Sequence, residues 1–247
     1  YILVVLTVFM FLAGTSTTTF YFAIKKNFTR IRHNDEFAFY IITCLGFMVL
    51  SSATLWITGH YPAGRSFLEG SFQAMSVIST TGFSHSDFNA WGNLMMLLIF
   101  IMMFTGGMSG SASSGLKIIR LLLITRNTRH EMSRVIHPNA YIPVRLDDKT
   151  VSQGIINNLL VYITIFFITI CAGALGISLM GYDIITSFST AAAMLSNIGP
   201  GIGSFGPFSD YAGVPAGGKW FFSFLMLAGR LELFSIFIFF TGSFYKR

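Results

Sequence analysis

Apolar residues in this chain come in long blocks and not in the short alternations of a half-buried sheet. Runs near 2–24, 36–58, 91–125, 153–180 and 219–245 are each long enough to cross the ~30 Å hydrocarbon core that about 20 helical residues span. Two further apolar segments, 66–83 and 183–200, are too short to cross and end in glycine-containing turns, so they read as re-entrant half-helices. The pattern predicts an all-α membrane protein with five transmembrane spans and two re-entrant loops.

Composition agrees. The chain is 53% hydrophobic and 11% charged, with 27 Phe against 10 acidic residues and a mean hydropathy of +0.66, more apolar surface than a water-soluble core of this size hides. The bilayer, with its lipid, is therefore the expected solvent. A net charge of +6 would suggest nucleic acid in a soluble protein, but here the positive residues lie in short loops and act as topology signals. No nucleic-acid partner is expected. Cys44 and Cys171 both fall in apolar stretches and imply neither a disulfide framework nor a metal site. The chain opens at Tyr1, inside an apolar run, without an initiator Met or a signal-peptide pattern, and it reads as a fragment of a longer protein.

Lys25, Lys26, Arg30, Arg32, Arg120, Arg126, Arg129, Arg134, Arg145, Lys149, Lys246 and Arg247 lie on one side of the expected spans, 12 of the 16 basic residues. That side is assigned to the cytoplasm. Both short segments then dip from the outer face, where Glu69, Asp87, Asp183 and Asp210 outnumber Arg65 and Lys219 and concentrate cations modestly.

A shift of 117 residues lays Ala74, Ser79 and Gly82 on Ala191, Ser196 and Gly199. Both copies occupy the same place in an order of span, short helix, glycine turn and span, which marks an internal repeat. Unpaired backbone in hydrocarbon costs several kcal/mol, so irregular chain at membrane depth lines protein or a watery cavity. The segments Ser79-Thr80-Thr81-Gly82-Phe83 and Ser196-Asn197-Ile198-Gly199-Pro200 follow the C-terminal, negative ends of the short helices. Carbonyls aimed by glycine turns replace the hydration shell of a cation such as K⁺. The plainer alternative is a pair of glycine-terminated helices in a bundle.

These stretches, with Gly106-Gly107-Met108-Ser109-Gly110-Ser111-Ala112-Ser113-Ser114-Gly115-Leu116-Lys117 and Ala228-Gly229-Arg230-Leu231-Glu232, resemble the third and fourth repeats of the Trk/Ktr/HKT superfamily of potassium transporters. The resemblance implies a potassium-channel-like fold in which four span–pore-helix–filter–span repeats surround one pore. Residues 1–33 would be the last helix of a second repeat with its cytoplasmic loop, 34–150 the third repeat and 151–247 the fourth. Gly82 and Gly199 would be filter glycines, with potassium at Thr80, Thr81, Asn197 and Ile198. It further implies potassium uptake in a bacterial inner (plasma) membrane, a multi-pass homodimer, and a cytosolic nucleotide-binding ring of the TrkA/KtrA type. K⁺ is then the substrate, no cofactor is bound covalently, and nucleotide acts only through the regulatory partner. A sodium-permeable transporter of the same fold is the alternative.

The third span, about 35 residues or ~52 Å as a helix, is too long to be straight. Its centre, Thr105 to Gly115, is rich in Gly and Ser, which kink or unwind mid-membrane helices, though small residues also serve close helix packing. By resemblance, Gly106, Gly107, Ser109, Gly110, Ser111, Ser113, Ser114 and Gly115 form a gate beneath the filter. Lys117 either balances exposed carbonyls of that loop or reaches the cytoplasmic interface. Arg230 sits near the midplane of a last, continuous span; a charge there costs at least ~2.5 kcal/mol on insertion scales, so it is expected to bond the Gly/Ser loop, with snorkelling to the interface as the alternative. Gly107-Met108-Ser109-Gly110 also matches the Gly-x-Ser-Gly of intramembrane serine proteases. His33, His60, His85, His130 and His137 all lie in loops or at span ends, which leaves Ser109 without an embedded base, and the chain is not expected to be an enzyme. A proton-coupled carrier lacks intramembrane carboxylates apart from Glu232. The basic segment Arg126 to Lys149, with Pro138 and Pro143, is either a docking surface or a solvated loop against lipid headgroups.

Overall fold

The computed structural model describes residues 1–137, 143–147, 149–231 and 233–239. Pro138, Glu232, residues 240–245 of the expected last span, Lys246 and Arg247 lie outside the described residues. The fold is mostly helical: α1 (Ile2–Ala13), α2 (Thr17–Ile24), α3 (Phe28–Arg32), α4 (Asp35–Ile57), α5 (Ala63–Ile78), α6 (Asn93–Met102), α7 (Ile118–Ile136), α8 (Gln153–Ser178), α9 (Ile184–Leu195), α10 (Ala216–Arg230) and α11 (Leu233–Phe239).

Among the described residues α4 and α8 alone are long and apolar enough to cross a bilayer unaided. Each carries a short helix folded back against it, α5 on α4 and α9 on α8. Their glycines explain how closely they approach. A Cβ on Gly70 of α5 would lie 2.7 Å from the Ser52 backbone nitrogen of α4, so only a bare Cα admits this contact. The core between these pairs is methionine-rich, with Met75, Met95, Met102, Met103 and Met108 fully buried; the unbranched thioether fills the irregular spaces that broken helices leave.

Two runs expected to be continuous helices are not. The first is α1 and α2, bent by 102° at Gly14-Thr15-Ser16. Ser16 caps α2 by accepting the Thr19 N–H (3.1 Å), and the Gly14 carbonyl accepts the Met108 N–H (2.9 Å) from the Gly/Ser loop. The Tyr40 hydroxyl, which donates to the Phe11 carbonyl (3.0 Å), occupies the space a Cβ on Gly14 would need. The second is the last run, which stops at Arg230 and resumes at Leu233, so Arg230 stands at the end of a helix and not mid-way along one. Gly229, in the last turn of α10, lies against the Leu195 carbonyl of α9.

A departure from an all-helical chain lies between α7 and α8, where Arg145 pairs antiparallel with Thr150 and Leu146 with Lys149. Arg126 of α7 ties this ladder down by donating to Asp35 Oδ2 (2.7 Å) and to the Arg145 carbonyl (2.6 Å). The backbone N–H groups of Asp35 and Asp147 each donate to the other's carboxylate, Oδ1 of Asp147 and Oδ2 of Asp35, at 2.9 and 3.0 Å. The basic segment is thus anchored to the first turn of α4.

If close α4–α5 approach holds the half-helix, Gly70→Ala lowers stability by about 1 to 3 kcal/mol through overpacking. Gly64→Ala, on the same helix but with nothing within 4 Å of the added methyl, is neutral or slightly stabilising. Thermal unfolding of the two variants in one detergent separates them.

Candidate functional site

α5 and α9 end in the same way. Ser79 N–H donates to the Met75 carbonyl, Thr80 N–H to Val77 and Thr81 N–H to Ser76, at 2.9, 3.0 and 3.0 Å. Residues 117 further on repeat the pattern: Ser196 to Ala192, Asn197 to Met194 and Ile198 to Ala193, at 2.9, 3.0 and 2.9 Å. Thr80 and Asn197 are left-handed with φ of +54° and +57°, and Gly82 and Gly199 follow at +74° and +105°. A left-handed β-branched threonine is an outlier that only surrounding structure sustains.

The two segments meet. A Cβ on Gly82 would collide with the Ile198 carbonyl oxygen and would lie 3.4 Å from Pro200 Cδ. Ser76 Oγ donates to the Phe83 carbonyl (2.5 Å), and Ser79 Oγ donates to the Met75 carbonyl (2.6 Å). On the other segment Asn197 Nδ2 donates to the Met226 carbonyl of α10 (3.0 Å). The Tyr211 hydroxyl donates to the Gly199 carbonyl (3.0 Å), and burial pushes this phenol up to about 12, so it remains a donor throughout the physiological range.

Beneath them, residues 103–117 form an irregular loop between α6 and α7. It is laced internally by Gly106 N–H to the Leu116 carbonyl (2.8 Å) and Ile118 N–H to the Gly107 carbonyl (3.0 Å). Gly107 N–H donates to Ser113 Oγ (2.8 Å), whose hydroxyl also pairs with that of Ser111 (2.8 Å). Gly110 and Gly115 take left-handed turns at +74° and +73°. Three charged side chains bond the loop's backbone. Lys117 Nζ bonds the Ser113 carbonyl and lies 3.4 Å from the Ser111 carbonyl. Arg230 Nη1 donates to the Ala112 carbonyl (2.8 Å) and to Ser114 Oγ (3.0 Å). Glu36, 8% exposed, accepts the Ser109 N–H at 2.5 Å. A cavity of about 150 Å³ lies between the loop, Lys117, Tyr162 and Arg230.

Among the described residues two hydrogen bonds join the loop to the upper segments. Ser114 N–H donates to Thr80 Oγ1 (2.9 Å), and Ser196 Oγ donates to the Met103 carbonyl (2.8 Å). The segments 79–83 and 196–200, the Gly/Ser loop and Arg230 therefore belong to one connected assembly. Three contributors were not singled out. Glu36 carries a signal that a reader of sequence has, an acid just inside a long apolar run. Gly14 has a weaker one, heading a short Gly-Thr-Ser-Thr cluster within a run, and Tyr211 has none.

A description of cation transport proteins of the TrkH type matches residues 1–246. The chain belongs to the TrkH family. Its relatives include the Trk system potassium uptake protein TrkH of Halomonas elongata, 32% identical over 90% of this chain and 46% of that protein. Another is the Trk system potassium uptake protein TrkG of Escherichia coli K12, 30% identical over 96% of this chain and 49% of that protein. The crystal structure of the potassium transporter TrkH from Vibrio parahaemolyticus superposes with a TM-score of 0.89 at 26% identity, over 97% of this chain and 52% of that one. This TrkH-family chain thus spans about half the length of the curated relatives it matches. Membership of a family of membrane transporters also closes the protease reading of Ser109.

A hydrogen bond to a charged group is worth about 1.5 to 3 kcal/mol, so Glu36→Ala speeds amide exchange of the peptide covering 106–117 by about 10- to 100-fold. Glu36→Gln, which keeps an acceptor oxygen, falls between the two. Deuterium uptake followed by mass spectrometry measures the order.

Proposed function

We propose that this chain forms the third and fourth quadrants of a potassium-uptake pore, in which carbonyls at Thr80, Thr81, Asn197 and Ile198 dehydrate and pass K⁺. The observation that carries this reading is the repeated backbone of 79–82 and 196–199, brought face to face where Gly82 abuts the Ile198 carbonyl. Paired half-helices with their C-terminal ends at one place favour a cation there. The names of the relatives, Trk system potassium uptake proteins, support potassium over sodium.

In this arrangement five spans cross the membrane: the bent α1–α2 pair, α4, α6 with α7, α8, and α10 with α11. Residues 1–33 close a second repeat, 34–150 form a third and 151–247 a fourth. α5 and α9 re-enter from outside, and the basic loops face the cytoplasm of a bacterial cell, beneath the inner membrane. Two quadrants do not enclose a path for an ion; the other two correspond to the half of the relatives that this chain does not cover. The Gly/Ser loop then lies under the filter and closes it, held shut by Arg230 and Lys117 on its carbonyls and by Glu36 on its amide. Flux follows the membrane potential, ~2.3 kcal/mol per charge per 100 mV, and needs no proton relay. The surface around Arg126 and Arg145 suits a cytosolic nucleotide-binding ring, and the transporter works as a homodimer.

The reading is tested by potassium-limited growth of an uptake-deficient bacterium carrying the intact transporter. Gly82→Ser and Gly199→Ser each abolish rescue at low K⁺ or admit Na⁺; unchanged rescue and selectivity in both sinks the proposal. Arg230→Ala raises K⁺ leak in the closed state, measured as efflux from loaded proteoliposomes, and an unaltered leak removes Arg230 from the gate.

A further inference from the structure

The two filter segments share a backbone but are tied to their surroundings differently. Asn197 is held from the side, its amide donating to the Met226 carbonyl on α10 (3.0 Å). Its counterpart Thr80 is held from below, its hydroxyl oxygen accepting the Ser114 N–H of the Gly/Ser loop (2.9 Å). Ser114 is 5% exposed, and its own hydroxyl accepts from Arg230 Nη1 (3.0 Å). A continuous hydrogen-bonded chain therefore runs from the end of α10, through the loop, to a filter residue.

We propose that the chain Arg230–Ser114–Thr80 couples the state of the Gly/Ser loop to the conformation of the third-repeat filter segment, with Thr80 as the positioning residue. The proposal rests on the reading of residues 79–83 as filter and 106–117 as gate. Thr80 is a β-branched residue at φ +54°, a conformation that persists only when neighbours over-determine it. One of those neighbours belongs to the moving part. The second tie between loop and filter, Ser196 Oγ to the Met103 carbonyl (2.8 Å), reaches the loop at its root, immediately after α6, where displacement is smallest. Opening the loop withdraws the Ser114 amide from Thr80 and leaves Asn197 anchored, so the two segments respond unequally. Loop closure thus sets the filter for K⁺, and loop opening relaxes it on one side of the pore.

The test uses the intact transporter in lipid nanodiscs and proteoliposomes, with K⁺ and Na⁺ as probes. A neutral hydrogen bond is worth about 0.5 to 1.5 kcal/mol net, a factor of about 2 to 12. Thr80→Val, which keeps the shape and removes the acceptor, is expected to speed amide exchange at residues 112–115 by that factor and to lower the K⁺/Na⁺ flux ratio. Thr80→Ser, which restores an acceptor, recovers most of both losses. In an Arg230→Ala background, where Ser114 is already loosened, Thr80→Val changes the flux ratio by less than about twofold, the non-additivity expected of linked groups. Unchanged amide exchange in Thr80→Val overturns the link, as does an equal loss of selectivity in both backgrounds. An unsubstituted transporter that passes K⁺ and Na⁺ alike sinks the potassium reading instead, and the exchange measurement still decides whether the link exists.

Discussion

Main chain that leaves a helix at membrane depth must find partners within the protein, because lipid offers none and each orphaned group costs several kcal/mol. Residues 103–117 meet this requirement by drawing on every direction at once. Gly106 and Ile118 pair with Leu116 and Gly107 across the neck of the loop, which closes it like a purse. Among the groups left over are carbonyls at Ser111, Ala112 and Ser113 and an amide at Ser109. The former go to two cations, Lys117 and Arg230, and the latter to an anion, Glu36. Charge sign follows the polarity of the group served, which is why the loop needs both kinds of residue beside it.

The same requirement accounts for the bend between α1 and α2. A straight helix through Gly14 would commit its carbonyl to its own ladder, and Met108 would lose its acceptor. With the helix broken, the Gly14 carbonyl serves Met108 (2.9 Å) and the Gly110 carbonyl serves Thr17 N–H (3.3 Å). Two interrupted elements thus satisfy each other, and neither is stable at this depth alone. Sterics reinforce the pairing, since a Cβ on Gly107 would sit 3.0 Å from the Gly14 Cα and 2.6 Å from its oxygen. The bend is a consequence of the loop, imposed from ninety-odd residues away.

That distance explains what could be read from sequence and what could not. Blocks of apolar residues reveal α4 and α8 because hydropathy averaged over twenty residues is a local property. The half-helices are equally legible, being short, apolar and closed by glycine. The interruption at 103–117 is written in its own Gly and Ser content. The break at Gly14 is not, because three small polar residues barely alter the average and the decisive partner is Met108. Likewise the ladder at 145–150 rests on Asp35 and Arg126. Residues that pair with distant backbone leave no periodic trace. Glu36 shows as an acid at the head of a long apolar run, but nothing local points to Ser109, whose N–H it accepts.

The repeat sharpens the point, since Gly82 and Gly199 are equivalent in sequence and share a left-handed torsion, φ +74° and +105°, yet their surroundings differ. At Gly82 a side chain is forbidden by contact, with the Ile198 carbonyl where a Cβ would be. At Gly199 a Cβ would meet nothing within 4 Å among the described residues, and the constraint is conformational, φ +105° being a region that side chains rarely tolerate. Both glycines are therefore fixed by their torsion, and Gly82 by its neighbour as well. A ring of such segments does not need identical residues to present similar carbonyls; it needs each position to exclude a side chain by whichever means its surroundings supply. The hydrogen bonds that shape each segment run back to its own half-helix, while Thr80 and Asn197 reach outward to different partners.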